Sequence, residues 1–188
     1  MAAILALLVF ILGAFAVLAF TVIFIYNKLV RLRNTAKSSW SDINVQLKKR
    51  YDLVPNLVET VKGYASHEKT VFENVTKARA MAIEAGSPAE KARAENMLRE
   101  TLKSLFAVAE AYPELRANQN FLQLQSQLKE LEDNIEYARR YYNAVVRDLN
   151  TLIESFPSNL IAGQFGFKLE EFFALEAPEE AKPPKVSF

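Results

Sequence analysis

The first 25 residues, from Met1 to Ile25, contain no charged side chain, and the first Lys or Arg is Lys28. As a helix rising about 1.5 Å per residue, this run is longer than the roughly 30 Å hydrocarbon core of a bilayer. A cleaved signal peptide is the alternative, but it has a positive n-region and an apolar core of only about 7–15 residues. The pattern therefore favours an uncleaved transmembrane anchor.

The most regular apolar pattern lies near the other end of the chain, where the spacing alternates between three and four residues. This spacing predicts one long helix over 121–156 whose apolar residues form a heptad seam. Val146 and Ile153 widen the stripe, which favours the core face of a bundle over a free coiled coil. The seam consists of Phe121, Leu124, Leu128, Leu131, Ile135, Ala138, Tyr142, Val145, Leu149, Leu152 and Phe156.

Apolar residues at helical spacing also continue from the anchor through Leu47. They predict that the anchor extends without a linker into a first bundle helix ending near Tyr51. Pro55 then blocks continuation, because it lacks an N–H and disfavours helical angles at Val54.

Two further helices complete the predicted bundle. One is predicted over 55–85, with Gly86 as its C-cap. The next begins at Ser87-Pro88-Ala89-Glu90, a capping box with Pro at the first helical position, and continues to about Ala111.

The predicted fold is therefore all-α. An N-terminal transmembrane helix continues into an up-and-down four-helix bundle, which is followed by a short aromatic-rich C-terminal segment. The predicted divisions are an anchor at 1–26, a bundle at 27–156, an apolar segment at 157–176 and a Pro-rich, charged tail at 177–188.

Charge is distributed unevenly along the chain. Residues 1–50 carry seven Lys or Arg against one Asp, whereas residues 51–188 carry sixteen against twenty-one acidic residues. Cations beside a membrane helix tend to stay cytoplasmic and attract anionic lipid, so we expect an outside N-terminus, a cytoplasmic bundle and membrane lipid as a partner. Nucleic acid is disfavoured, since the cations lie where the membrane is. The flanking cations are Lys28, Arg31, Arg33 and Lys37.

Candidate chemistry is sparse. The chain has one His and no Cys, and His67-Glu68-Lys69-Thr70-Val71 lacks the second His of a zinc-protease motif. We therefore expect no catalytic constellation, no metal and no cofactor. Polar residues around the first bundle helix are either caps and register-fixing groups or a recognition surface. That candidate surface consists of Trp40, Asp42, Gln46, Arg50, Asp52, Asn56, His67 and Glu68.

The segment after Phe156-Pro157 is too apolar for a disordered tail. We expect it to pack on the bundle, on a neighbouring subunit or on a partner. Its candidate docking residues are Phe165, Phe167, Phe172, Phe173 and the terminal Phe188.

Several segments together resemble the LemA family over nearly the whole chain. They are the anchor with YNKLVRLR at 26–33, Trp40 with DINVQLKKRYDLVPNLV at 42–58, GYASHE at 63–68, YPEL at 112–115, YN at 142–143, FPSN at 156–159, FGF at 165–167 and PKVSF at 184–188. Asn44 departs from the pattern, because the family usually carries an acid there. The resemblance implies a helical bundle on a bacterial membrane helix. It also implies links to magnetosome membranes and to membrane-protein quality control, and it supplies no catalytic residues.

Three functions are open at this point. The first is a non-enzymatic scaffold in the inner membrane that self-assembles into a homo-oligomer through its helical bundle and its C-terminal segment and organises membrane or membrane proteins. The second is an adaptor for another membrane protein, such as a protease. The third is an enzyme or small-ligand binder that uses His67 and Glu68.

Overall fold

The computed structural model describes residues 1–174, which form six α-helices and no strand. The predicted all-α class is confirmed. Contacts divide the chain into a first unit, Met1–Trp40 with Tyr141–Glu170, and a second unit, Ser41–Arg140 with the residues from Glu171 onward. The helices are α1 (Ala2–Lys62), α2 (Lys69–Glu84), α3 (Pro88–Glu110), α4 (Pro113–Arg116), α5 (Gln119–Glu154) and α6 (Ser158–Gln164).

The apolar run forms the first part of α1, and its side chains are exposed through Leu18. Within residues 1–174, α1 alone is long and apolar enough to cross a membrane, and none of its most apolar stretch is buried. A row of exposed Phe, Leu, Ile and Val side chains of this length matches a lipid environment rather than water.

The first unit has a small core where α1, α5 and α6 meet. Leu29, Leu149, Ala162 and Phe167 are buried together there. Partly buried apolar side chains surround them: Ile25, Val30, Leu32, Leu152, Ile153 and Ile161. The apolar segment after α5 therefore packs against helices that precede it in the chain, which is one of the three locations that the sequence left open.

The predicted end of the first helix near Tyr51 is wrong, because α1 continues through Pro55 to Lys62. A proline inside a helix leaves the carbonyl four residues earlier without its N–H donor. That carbonyl belongs to Tyr51, and Arg79 of α2 donates its Nε–H to it at 2.7 Å. A side chain from another helix thus replaces the missing backbone bond. The predicted helix over 55–85 is consequently split between α1 and α2.

The start of α3 follows the predicted capping box. The Ser87 hydroxyl accepts the Glu90 N–H, and the Glu90 carboxylate accepts the N–H groups of Ser87 and Gly86. These two backbone N–H groups lower the pKa of Glu90 below its ordinary value. Gly86 is therefore bonded to the cap of α3, and its prediction as the C-cap of α2 is wrong, since that cap is Ala85.

α5 contains the predicted heptad stripe, although the helix spans Gln119–Glu154 rather than 121–156. The stripe is buried or half-buried from Phe121 through Leu152. Val146, which widens the apolar stripe, is fully buried as predicted. Phe156 is the exception, because α5 ends before it and its ring is exposed.

Side chains of four helices meet in the second unit. Arg50 and Tyr51 of α1 contact Ala82 of α2, Glu95 of α3 and Glu132 of α5. These contacts are consistent with the predicted four-helix bundle.

The role of Arg79 can be tested by restoring the backbone donor. Arg79→Met should cost about 1–3 kcal/mol, because it leaves the Tyr51 carbonyl without a partner. In a Pro55→Ala background the same change should cost much less, since the substituted alanine supplies the N–H that proline lacks. Thermal unfolding in mild detergent, followed by circular dichroism, measures both costs.

Lys77→Met, at an exposed position of the same helix, is the matched control and should be near neutral. An equal cost of Arg79→Met in both backgrounds would contradict this account of Pro55.

Candidate functional site

Five side chains form an ionic cluster in the second unit, in which Arg50, Tyr51 and Glu95 are buried and Arg99 and Glu132 are about one-third exposed. The Arg50 side chain is 3% exposed and pairs with Glu95, which is 1% exposed. Arg50 Nη1 also lies 2.6 Å from Glu132 Oε2, and Arg99 Nη2 lies 2.9 Å from Glu132 Oε1. Two guanidinium groups face two carboxylates. Each charge therefore has an opposite partner, which offsets the cost of removing it from water.

Tyr51 and Lys91 connect this cluster to the end of α2. The Tyr51 hydroxyl is hydrogen-bonded to Glu95 and lies 3.2 Å from the Ala82 carbonyl oxygen. Lys91 Nζ donates to the same carbonyl at 3.2 Å. Ala82 is in the last turn of α2, where carbonyl groups lack helical partners and attract cations.

Burial shifts the pKa of both side chains. It raises the pKa of Tyr51 to about 12, although the nearby Arg50 charge opposes the rise. Burial also lowers the pKa of Lys91 below its ordinary value. The phenol thus stays neutral above the pH at which an ordinary tyrosine ionises, as a hydroxyl bonded to the Glu95 carboxylate.

An open groove of about 860 Å³ lies beside the ionic cluster, and we call it the α3–α5 groove. Its apolar lining includes Leu102, Phe106 and Leu122. Charges of both signs surround this lining: Arg99, Lys103, Lys129 and Arg139 as cations, and Glu132, Asp133 and Glu136 as anions. An apolar floor with mixed charges at its edge resembles a protein-binding surface more than an enclosed ligand pocket.

The membrane flank of α1 carries the predicted cations. Lys28, Arg31 and Lys37 are exposed, whereas Arg33 is half-buried with its guanidinium 4.9 Å from the Phe167 ring centroid. A cation over an aromatic face is attracted by the ring quadrupole. Three of the four predicted flank residues are thus exposed, and the fourth contacts the C-terminal segment.

The turn after α6 brings two aromatic rings onto α1, and we call residues 165–167 the aromatic turn. The Phe165 and Phe167 ring centroids lie 4.7 Å and 6.0 Å from that of Tyr26. Gly166 between them has φ +68°, in the left-handed region that L side chains rarely adopt. A glycine at this position allows the turn that places both rings beside Tyr26.

The predicted recognition surface is dispersed between buried and exposed positions. Arg50 is in the ionic cluster, and Trp40 is half-buried with its ring 5.3 Å from that of Tyr142. Gln46 and Glu68 are half-buried, while Asp42, Asp52, Asn56 and His67 are exposed. Asp52 pairs with Lys48 at 2.9 Å. The interaction role of these residues stays a prediction.

The candidate C-terminal docking residues divide in the same way. Phe167 and Phe173 are buried, Phe165 and Phe172 are exposed, and Phe188 lies outside the described residues. Their docking role also stays a prediction.

Sequence reasoning missed the partners that complete the ionic cluster. Lys91 and Glu95 occupy positions of α3 in step with Leu98 and Leu102, so they lie on its buried side. Charged residues in phase with an apolar stripe are an available signal of buried ion pairs.

Comparison with known proteins places this arrangement in a family. The model of the LemA family matches residues 39–188, which is most of the chain. The chain belongs to the LemA family.

Relatives of this LemA-family chain have names of two kinds. The magnetosome proteins MamQ 1 and MamQ 2 of Paramagnetospirillum magneticum are each 26% identical over 191 residues, which covers 87% of this chain and 70% of theirs. Protein LemA of Metamycoplasma hominis is 26% identical over 140 residues, which covers 72% of this chain and 63% of the relative. With the exposed apolar part of α1, these likenesses indicate a membrane-associated member of the family.

The buried ion pair makes a sharp prediction about stability. Arg50→Met and Glu95→Leu should each cost about 3–5 kcal/mol, because each leaves a buried charge unpaired. The double variant should lose clearly less free energy of unfolding than the sum of the losses in the two single variants. Thermal unfolding of the three variants measures this difference. Lys48→Met, which breaks the exposed pair with Asp52, is the control and should cost under about 1 kcal/mol. Simple additivity in the double variant would refute the coupling.

Tyr51 should titrate late in the folded protein. The pKa of Tyr51 is raised from 10.0 to about 12, so its contribution to stability is complete below pH 10 and is lost as the pH rises through about 12. Tyrosinate absorbance should show a high-pH component that loses one tyrosine in Tyr51→Phe. Tyr137→Phe, at an exposed position, should leave that component unchanged. An unchanged component in Tyr51→Phe would contradict the assignment.

Proposed function

We propose that this LemA-family protein is a non-enzymatic, membrane-anchored scaffold that self-assembles and organises membrane or membrane proteins. The observation that carries the proposal is α1, one uninterrupted helix from Ala2 to Lys62. Its first part exposes only apolar side chains that suit lipid, and its later turns supply Arg50 and Tyr51 to the ionic cluster. The anchor and the folded second unit thus share a single element.

Exposed cations support the proposed orientation. Lys28, Arg31 and Lys37 follow the apolar run directly and are open to headgroups. Cations at this place favour the cytoplasmic side, which gives an outside N-terminus and a cytoplasmic bundle at the inner membrane.

The α3–α5 groove supports self-assembly. Its apolar lining offers area for a contact, and cations and anions occur together along it. A surface with both signs can pair with a copy of itself, as closed two-fold assemblies require. The part of the C-terminal segment in self-assembly stays a prediction.

The adaptor hypothesis uses the same groove with a different occupant. A helix from another membrane protein would also fit an apolar floor between two helices. The two hypotheses differ in one respect, since a scaffold assembles when purified alone and an adaptor needs its partner. The His67 and Glu68 hypothesis has weaker support, because His67 is exposed in the turn between α1 and α2.

Self-assembly can be measured on the purified full-length protein. In mild detergent, light scattering coupled to size exclusion should give a mass of at least two chains. Crosslinking in native membranes before extraction should give the same stoichiometry. A monomer in both measurements would overturn the scaffold proposal.

The groove itself is tested by Leu122→Arg, which places a charge on its apolar lining. This variant should shift the protein toward monomer without lowering its melting temperature, since Leu122 is half exposed. Tyr137→Arg, on the same helix and outside the groove lining, should remain assembled. An intact oligomer in Leu122→Arg would exclude the groove as the contact.

A further inference from the structure

Four large apolar side chains are exposed on the C-terminal part of the first unit. Phe156 is 81% exposed, Leu160 65%, Phe165 53% and Leu169 54%. They follow one another from the end of α5 through α6 and the aromatic turn. Exposed large apolar residues this close in sequence indicate an interaction surface.

The inner side of this segment is already packed. Ser158 and Ala162 of α6 are buried, and Phe167 is in the core of the first unit. Leu160 and the exposed Phe165 are therefore not the face that attaches α6 to the helices. They form a second, outward face, on which the half-exposed Phe165 also contacts the Tyr26 ring.

This outward face lies beside the end of the apolar run. The Phe165 ring is 4.7 Å from Tyr26, which directly follows the last residue of that run. Ile25 itself packs against the core that contains Ala162 and Phe167. If α1 spans a bilayer, Tyr26 is at the boundary between hydrocarbon and headgroups, where aromatic rings concentrate. Phe165 is then close to the same boundary, and Leu160 lies five residues before it in the chain.

Cations accompany these apolar side chains. Within residues 26–40 and 154–170 there are five cations and two carboxylates, Glu154 and Glu170. Lys28, Arg31 and Lys168 are exposed. Apolar side chains with a surplus of cations are the composition that binds the surface of an anionic bilayer.

We infer that the surface formed by Phe156, Leu160, Phe165 and Leu169 docks on the anionic lipid interface of the bilayer that holds α1. The inference rests on the membrane anchoring in the proposed function and is independent of self-assembly. Continuity with the anchor decides the occupant. If α1 spans the bilayer, a lipid surface is already present at the level of Tyr26. Contact with a second copy would instead require the exposed side chains to turn away from the adjoining headgroups.

The chain contains no cysteine, so single cysteines can report the environment of each side chain. Leu160→Cys and Leu169→Cys, labelled with an environment-sensitive fluorophore, test the docking surface in vesicles that contain anionic lipid. Leu12→Cys reports the anchor. Ser38→Cys is the aqueous control, because it is exposed and roughly 18 Å farther along α1 than Tyr26. Lipids that carry a nitroxide quencher near the headgroup detect contact with the bilayer.

Docking predicts several-fold stronger lipid quenching at positions 160 and 169 than at 38. A second quencher, with its nitroxide deep in the acyl chain, should quench the label at position 12. If it does so while the labels at positions 160 and 169 are not quenched by either lipid, the docking is overturned but the anchoring is not. A lack of quenching at 12 as well would mean that the anchoring has failed.

A second copy as the occupant gives a different result. The fluorophore at 160 would then be shielded from water but unquenched by lipid, and its signal would depend on the protein-to-lipid ratio. That outcome would also overturn the inference.

A final comparison between neutral and anionic vesicles tests whether docking requires lipid charge. In neutral vesicles the quenching at 160 should fall while that at 12 is unchanged. Equal quenching at 160 in neutral and anionic vesicles would refute the anionic requirement.

Discussion

The structure depends on how the second unit holds two adjacent residues of α1, Arg50 and Tyr51. The Arg50 guanidinium pairs with Glu95 of α3 and Glu132 of α5. The Tyr51 carbonyl accepts from Arg79 of α2. Burying a charge or a carbonyl without a partner costs several kcal/mol, so this part of α1 can be buried only when all three other helices are in place. The contacts make folding of the unit cooperative across its helices.

Such a cluster is better explained by specificity than by stability. A buried ion pair contributes little relative to apolar residues of the same volume, but a shift in register would leave its charges unpaired. Part of the apolar stripe of α5 would tolerate a shift by one heptad, since Leu131 would replace Leu124 and Ile135 would replace Leu128. Glu132 would not tolerate it, because its two oxygens are bonded to Arg50 and Arg99. These charges therefore oppose a shift of α5 that apolar contacts around Leu124–Ile135 alone would resist less strongly.

Features that depend on residues close together in the sequence could be predicted from the sequence. The anchor, the phase of the α5 stripe and the Ser87–Glu90 capping box follow from spacing and composition. The continuation of α1 through Pro55 could not be predicted in this way, because the donor that replaces its N–H comes from a residue 24 positions later. The ionic cluster has the same character. Glu95 can be placed on the buried side of α3 from the sequence, but its pairing with Arg50 depends on how separate helices meet.

The apolar C-terminal segment shows how one sequence feature can serve two environments. It has more apolar side chains than a disordered tail would carry. Some of them are buried in the core of the first unit, and others are exposed. Ala162 and Phe167 face the core with Leu29, while Leu160 and Phe165 are exposed and Phe165 lies next to Tyr26. Lipid docking would use the outward face in the first unit, and the α3–α5 groove in the second unit would stay available for protein contacts. Because no residue is shared between these two surfaces, membrane docking and self-assembly can be altered by separate substitutions.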